Sequence, residues 1–220
     1  MAGRIGISHI VILLTLWLAA TAHAAESGPV KLVVLGDSLA AGYGLDEADA
    51  FPNQLQRELI ARGHRVEIAN GGVSGDTSTG ALTRLDWAIP EDTDLVIVEL
   101  GANDALRGVD PTQTFDALRK IIKTLQGRSI KVLLAGMRAP PNMGADYEAE
   151  FNAIYSALAR ELDVPLYPFF LDGVAANPEL NQADGIHPNA TGVAEIVDRI
   201  RPVVEALVIE LGANRSTVTQ

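Results

Sequence analysis

Five short apolar runs that alternate with amphipathic stretches predict a flavodoxin-like, three-layer α/β/α fold. Its core is a five-stranded parallel sheet in the order 2-1-3-4-5. Three observations carry this. The runs are too short and too apolar for surface helices, as expected of strands buried on both faces. Helical periodicity returns between them. Right-handed crossovers then leave few topologies, and five strands favour the order with strand 1 between strands 2 and 3.

In chain order, residues 31–35 (KLVVL), 66–69 (VEIA), 95–100 (LVIVEL) and 131–135 (KVLLA) are strands, and 164–167 is a weaker fifth. The first, third and fourth are expected to be covered on both faces. Phe51, Leu55 and Leu59 mark one helical stripe; Phe115, Leu118, Ile122 and Leu125 mark another. Asp110-Pro111 supplies a cap and a first-turn proline to the second. Residues 147–162 and 191–211 complete the helices. Pro202 is expected to kink or split the last one, and the polar tail after Gly212 to fray. Phe51 and Trp87 are assigned to the core, and His64 to the solvated surface.

Residues 1–24 read as a secretory signal rather than as part of the fold. Arg4 provides a basic start, residues 10–20 are apolar, and Ala22-His23-Ala24 fits a small-residue cleavage site. Residues 25–220 are expected to form one domain. The chain has no cysteine. Export without cysteine suits a bacterial periplasm or exterior, with no lipid anchor on a thiol and no disulfide.

Net charge is −11, and because Arg4 is the signal's only charged residue the remainder stands at about −12. That argues against nucleic acid and against electrostatic docking on anionic lipid. It leaves small-molecule substrates and lipids bound through apolar contacts.

In this topology ligands bind beyond the carboxyl ends of the strands, at the switch between strands 1 and 3. The unusual residues gather there. Gly36-Asp37-Ser38 follows strand 1, Gly71 to Thr77 (GGVSGDT) follows strand 2, and Gly101-Ala102-Asn103-Asp104 follows strand 3. Asp184-Gly185-Ile186-His187 lies beyond strand 5, where its loop can fold over the same edge. A serine hydroxyl needs a base, and an imidazole base needs a third group to fix its tautomer. Ser38, His187 and Asp184 are the residue types required. The N–H groups of Ser38 and Gly75 and the amide of Asn103 could converge on one oxyanion.

Each piece has an ordinary alternative. Ser38 could cap a helix, Gly75 could serve a turn, and Asn103 could form an Asx-turn. Asp37, Asp76 and Asp104 read as acceptors for local backbone N–H groups.

Taken together, Gly-Asp-Ser-Leu at 36–39, Ser-Gly-Asp-Thr at 74–77, Gly-Ala-Asn-Asp at 101–104 and Asp-Gly-Ile-His-Pro at 184–188 resemble the four ordered blocks of the SGNH (GDSL) hydrolases. The likeness is strongest to the secreted bacterial thioesterase, lysophospholipase and arylesterase group of that family. It implies the SGNH hydrolase fold and a serine esterase acting on carboxylic esters and thioesters without cofactor or metal. It implies Ser38 as nucleophile, His187 as base, Asp184 as its partner, and Ser38, Gly75 and Asn103 as oxyanion donors. It further suggests that 105–109 and 137–143 form an acyl groove touched by Leu106 and Pro140. Ala102 departs from the second glycine common in close relatives.

The compartment favours lysophospholipids and small or aryl esters over cytosolic acyl-CoA. Two other readings remain: a carbohydrate O-deacetylase, disfavoured by an aromatic content of 5%, and a non-catalytic exported binding protein. Oligomeric state is not legible.

Overall fold

The structure is a computed structural model that describes residues 28–218; the expected signal, 1–24, lies outside them. Five strands, β1 (Val30–Gly36), β2 (Val66–Gly72), β3 (Leu95–Glu99), β4 (Lys131–Ala135) and β5 (Leu166–Tyr167), form one parallel sheet in the order β2-β1-β3-β4-β5. This is the expected order. Eight helices follow in sequence: α1 (Ser38–Ala41), α2 (Phe51–Ala61), α3 (Ser78–Thr83), α4 (Leu85–Ala88), α5 (Ala102–Leu106), α6 (Pro111–Gly127), α7 (Ala145–Leu162) and α8 (Ala190–Val218).

All five residues of β3 are buried, as are the last five of β1, because helices cover both faces of the sheet. One layer pairs α2 with α8; the other packs α6 against α3 and α7. Phe51 is fully buried with its ring edge-on to Phe170, 4.9 Å between centroids. Burial of one such side chain contributes about 1.5–3 kcal/mol. Asp110 caps α6 by accepting from the Thr112 N–H, ahead of Pro111 in the first turn.

Register sets the strand ends level. Gly36 stands beside Gly72 on one side and Glu99 on the other, Glu99 beside Ala135, and Ala135 beside Tyr167. The loops leaving β1, β2 and β3 therefore emerge at one edge of the sheet.

Four expectations need correction. α8 is not split: it runs unbroken from Ala190 to Val218 with Pro202 inside it. Pro202 is exposed, and the carbonyl it cannot serve belongs to Asp198, also exposed. Meanwhile Ile196, Val197, Ile200, Val204, Leu207 and Val208 stay buried on either side of it. Residues 213–218, expected to fray, are helical, and Arg215 reaches the start of the sheet. Its guanidinium donates to the Gly28 and Pro29 carbonyls and pairs with Asp94. Trp87 is 74% exposed, since the short α4 turns Leu85 and Ile89 inward instead. His64 is not merely solvated: it stands 2.6 Å from Glu205 on α8. Among the described residues no helix is long and apolar enough to cross a membrane.

Candidate active site

Ser38 is the first residue of α1 but not its cap. Asp37 takes that role, its Oδ1 accepting from the Leu39 N–H at 3.0 Å. The Ser38 hydroxyl is left half-buried at the end of β1. His187 approaches it from the 181–188 loop, with Nε2 3.0 Å from Ser38 Oγ. On the far side of the ring, His187 Nδ1 is 2.6 Å from Asp184 Oδ2. The other oxygen of Asp184 accepts from the Ile186 and His187 N–H groups at 2.9 and 3.0 Å. One carboxylate thus closes its own turn and orients the imidazole. Hydrogen bonds from the His187 ring and from these two N–H groups hold its pKa down at about 2.

The loop carrying Asp184 and His187 is pinned by residues with no sequence signal. The Gln182 N–H donates to the His187 carbonyl at 2.7 Å. Its side-chain amide donates to the Tyr43 and Pro188 carbonyls. The Tyr43 ring lies 4.7 Å from the His187 ring. Flanking glycines, Gly42 and Gly44, were the only hint that the Tyr43 turn comes close; a Cβ on Gly44 would meet Gln182 Oε1 at 2.3 Å.

Asn103 sits in the first turn of α5, which starts after Gly101 in a left-handed conformation (φ 115°). A side chain at 101 would strike the Tyr155 hydroxyl at 2.1 Å. The Asn103 amide donates one hydrogen bond, to Asp37 Oδ2 at 3.1 Å. Gly75 occupies the β2–α3 loop at φ 82°, and its carbonyl accepts from Arg107 at 2.8 Å.

A cavity of about 720 Å³ opens beside Ser38 and His187. Asn103, Leu106, Pro140, Phe169 and Ile186 are among the residues that line it; Gly75 is not. Leu106 and Pro140 thus line the same cavity as Ser38 and His187.

Two of the three neighbouring acids differ from expectation. Asp76 pairs with Arg84, Nε to Oδ2 2.7 Å, and Arg84 also donates to the Gly36 carbonyl at 3.0 Å. That clamps the β2 loop to the end of β1. Asp104 is fully buried and accepts from Ser78 on α3 and Thr114 on α6. Partners this distant in sequence are set by the fold, not by the local turn. Asp37 does accept a local N–H, and more besides.

Residues 34–195 match the family model described as GDSL-like lipase/acylhydrolase. The chain belongs to that family. It is 36% identical over 197 residues to esterase TesA of Pseudomonas aeruginosa, covering 89% of this chain and 98% of that protein. It is 38% identical over 201 residues to thioesterase 1/protease 1/lysophospholipase L1 of Escherichia coli K12, covering 91% and 93%. Among solved structures it is similar to AlinE4, an SGNH-hydrolase family esterase, at 45% identity and a TM-score of 0.70 over 81% of this chain and 96% of that one. The fold is that of an SGNH hydrolase, and the family chemistry is hydrolysis of ester and thioester bonds.

Proposed function

We propose that this protein is an exported serine esterase whose nucleophile is Ser38. The observation that carries this is the Ser38–His187–Asp184 chain of contacts, 3.0 and 2.6 Å, beside a largely apolar cavity. His187 Nε2 takes the Ser38 proton as Oγ attacks an acyl carbonyl. Asp184 holds the Nδ1–H tautomer and stabilises the imidazolium. The Ser38 and Gly75 N–H groups and the free N–H of the Asn103 amide receive the oxyanion. His187 then protonates the departing alcohol or thiol, and activates water to clear the acyl-enzyme.

The substrate class follows from the cavity and the expected compartment: medium or long acyl esters, with lysophospholipids and aryl esters ahead of acyl-CoA. Leu106 and Pro140 contact the acyl chain. The test is hydrolysis of p-nitrophenyl esters from two to sixteen carbons, with Ser38→Ala alongside. Ser38-dependent turnover peaking beyond about six carbons is expected. A peak confined to acetyl would support the deacetylase reading, and none above the mutant would support a binding protein.

Asn103→Ala is expected to lower kcat by roughly a hundred- to a thousandfold, the usual effect of removing one oxyanion donor. Full activity in that variant would end the oxyanion assignment. Export rests on residues 1–24, and N-terminal sequencing of the exported protein should begin near Ala25; a start at Met1 or Ala2 would contradict cleavage.

A further inference from the structure

Asp37 is fully buried, immediately below the candidate nucleophile, and no step of the mechanism above uses it. Its two oxygens serve different partners. Oδ1 accepts from the Leu39 N–H and closes the first turn of α1. Oδ2 accepts from the Asn103 amide, across the switch between β1 and β3. Beneath it stands Glu99, the last residue of β3 and also fully buried, whose Oε2 is 3.5 Å from the Asp37 nitrogen and whose Oε1 has no hydrogen-bond partner among the described residues. Gly36 makes room for this: a Cβ there would fall 2.5 Å from Glu99 Oε2.

An amide has two N–H groups, and a half-buried asparagine can flip to present its oxygen instead. A carboxylate on one side forbids the flip, because oxygen facing oxygen is repulsive. We propose that Asp37 is a positioning residue for acyl transfer: it holds the Asn103 amide so that the second N–H faces the Ser38 cleft, while Glu99 braces the Asp37 turn from below. The inference rests on Asn103 being an oxyanion donor.

The electrostatics point the same way. Burial raises the Asp37 pKa to about 6, against the opposing pull of the Leu39 N–H, the Asn103 amide and His187. Burial, and then the charge of Asp37, push Glu99 well above the usual carboxylate range. For an acid with a raised folded-state pKa, stability is lost as pH rises from about 4 through about 6 and stays lower above. A group that only supported the fold would be poorly served by such burial. An amide in its place carries no such penalty at neutral pH and caps a helix equally well. Activity should therefore fall in Asp37→Asn while stability does not.

The experiment is a double-mutant cycle on the full mature chain, with Asp37→Asn, Asn103→Ala and the pair, measured on a p-nitrophenyl ester at pH 7.5. Asp37→Asn is expected to lower kcat about ten- to hundredfold. KM should stay within about threefold, and the melting temperature should equal or exceed that of the parent. In the Asn103→Ala background it should cost less than about twofold more, because the group through which it acts is already gone. Asp37→Ser, which still caps α1 but is too short to reach Asn103, should behave alike.

A second readout is the pH profile. The charged and titratable groups around Asp37 are Glu99 on β3, Asp104 on α5, Tyr155 on α7, His187, and Arg84 through the Gly36 carbonyl. Asp37→Asn should remove one ionisation near pH 6 from the acid limb. Equal losses in both backgrounds would overturn the proposal, as would a melting temperature lowered in step with the fraction of phosphonate-reactive protein. A silent Asn103→Ala would overturn it through the oxyanion assignment, which separates that failure from this one.

Discussion

Ser38→Ala is expected to cost up to about a millionfold in kcat with almost no loss of stability. The rate loss follows from the triad acting as a unit: without the nucleophile, His187 and Asp184 have no proton to move. The small structural cost follows from where the hydroxyl points. Ser38 Oγ bonds to His187 Nε2, while the cap of α1 is supplied by Asp37. Alanine keeps the backbone, and it is a better helix former than serine. The variant should melt within about 2 °C of the parent, since changes that disturb no cap, core or network fall within about 0.5 kcal/mol. Residual catalysis of about a thousand- to ten-thousandfold over water should remain, from oxyanion stabilisation and binding alone. A kcat within about a hundredfold of the parent would move the nucleophile elsewhere.

The sheet and its loops were legible because strands covered on both faces are apolar over most of their length, and β1, β3 and β4 each carry a single charged residue, Lys31, Glu99 and Lys131, at or beside a strand end. Turns at the sheet edge announced themselves through Gly36, Gly75 and Gly101, where a side chain would collide or the backbone needs positive φ. What escaped were pairings across long stretches of chain. Nothing near His64 points to Glu205, or near Arg215 to Asp94. Trp87 illustrates a different limit: Leu85, Trp87 and Ile89 are all apolar, and only packing chooses which two turn inward. In the candidate site, Ser38, Asp184, His187 and Asn103 were visible as residue types, but most of the groups that hold them were not. Gln182, Tyr43, Arg84 and Glu99 make their contacts through loops whose approach the fold alone determines. Asp37 was legible as a local acceptor, and it is one; its bond to the Asn103 amide, across the switch between β1 and β3, was not legible.

Asp184→Asn is expected to cost about ten-thousandfold, for a reason specific to this turn. Asp184 has two oxygens with two tasks: Oδ1 receives the Ile186 and His187 N–H groups, and Oδ2 receives His187 Nδ1–H. Asparagine has one oxygen. Three donors compete for it, and the two backbone N–H groups hold it as a pair. The NH2 group is then turned toward Nδ1, where it donates. Nδ1 becomes an acceptor, the ring proton moves to Nε2, and Nε2 can no longer take the proton of Ser38. The substitution keeps the loop and inverts the tautomer. Asp184 also adds stability of its own. Its pKa is lowered, so that contribution is present above about pH 4 and fades as pH falls through about 2. Asp184→Asn should therefore lose activity at every pH from 6 to 9, yet differ little from the parent in melting temperature at pH 2. Retention of more than about a tenth of parental kcat at pH 7.5 would mean that His187 takes its orientation from another group. The Tyr43 ring, 4.7 Å away, would be the first to examine.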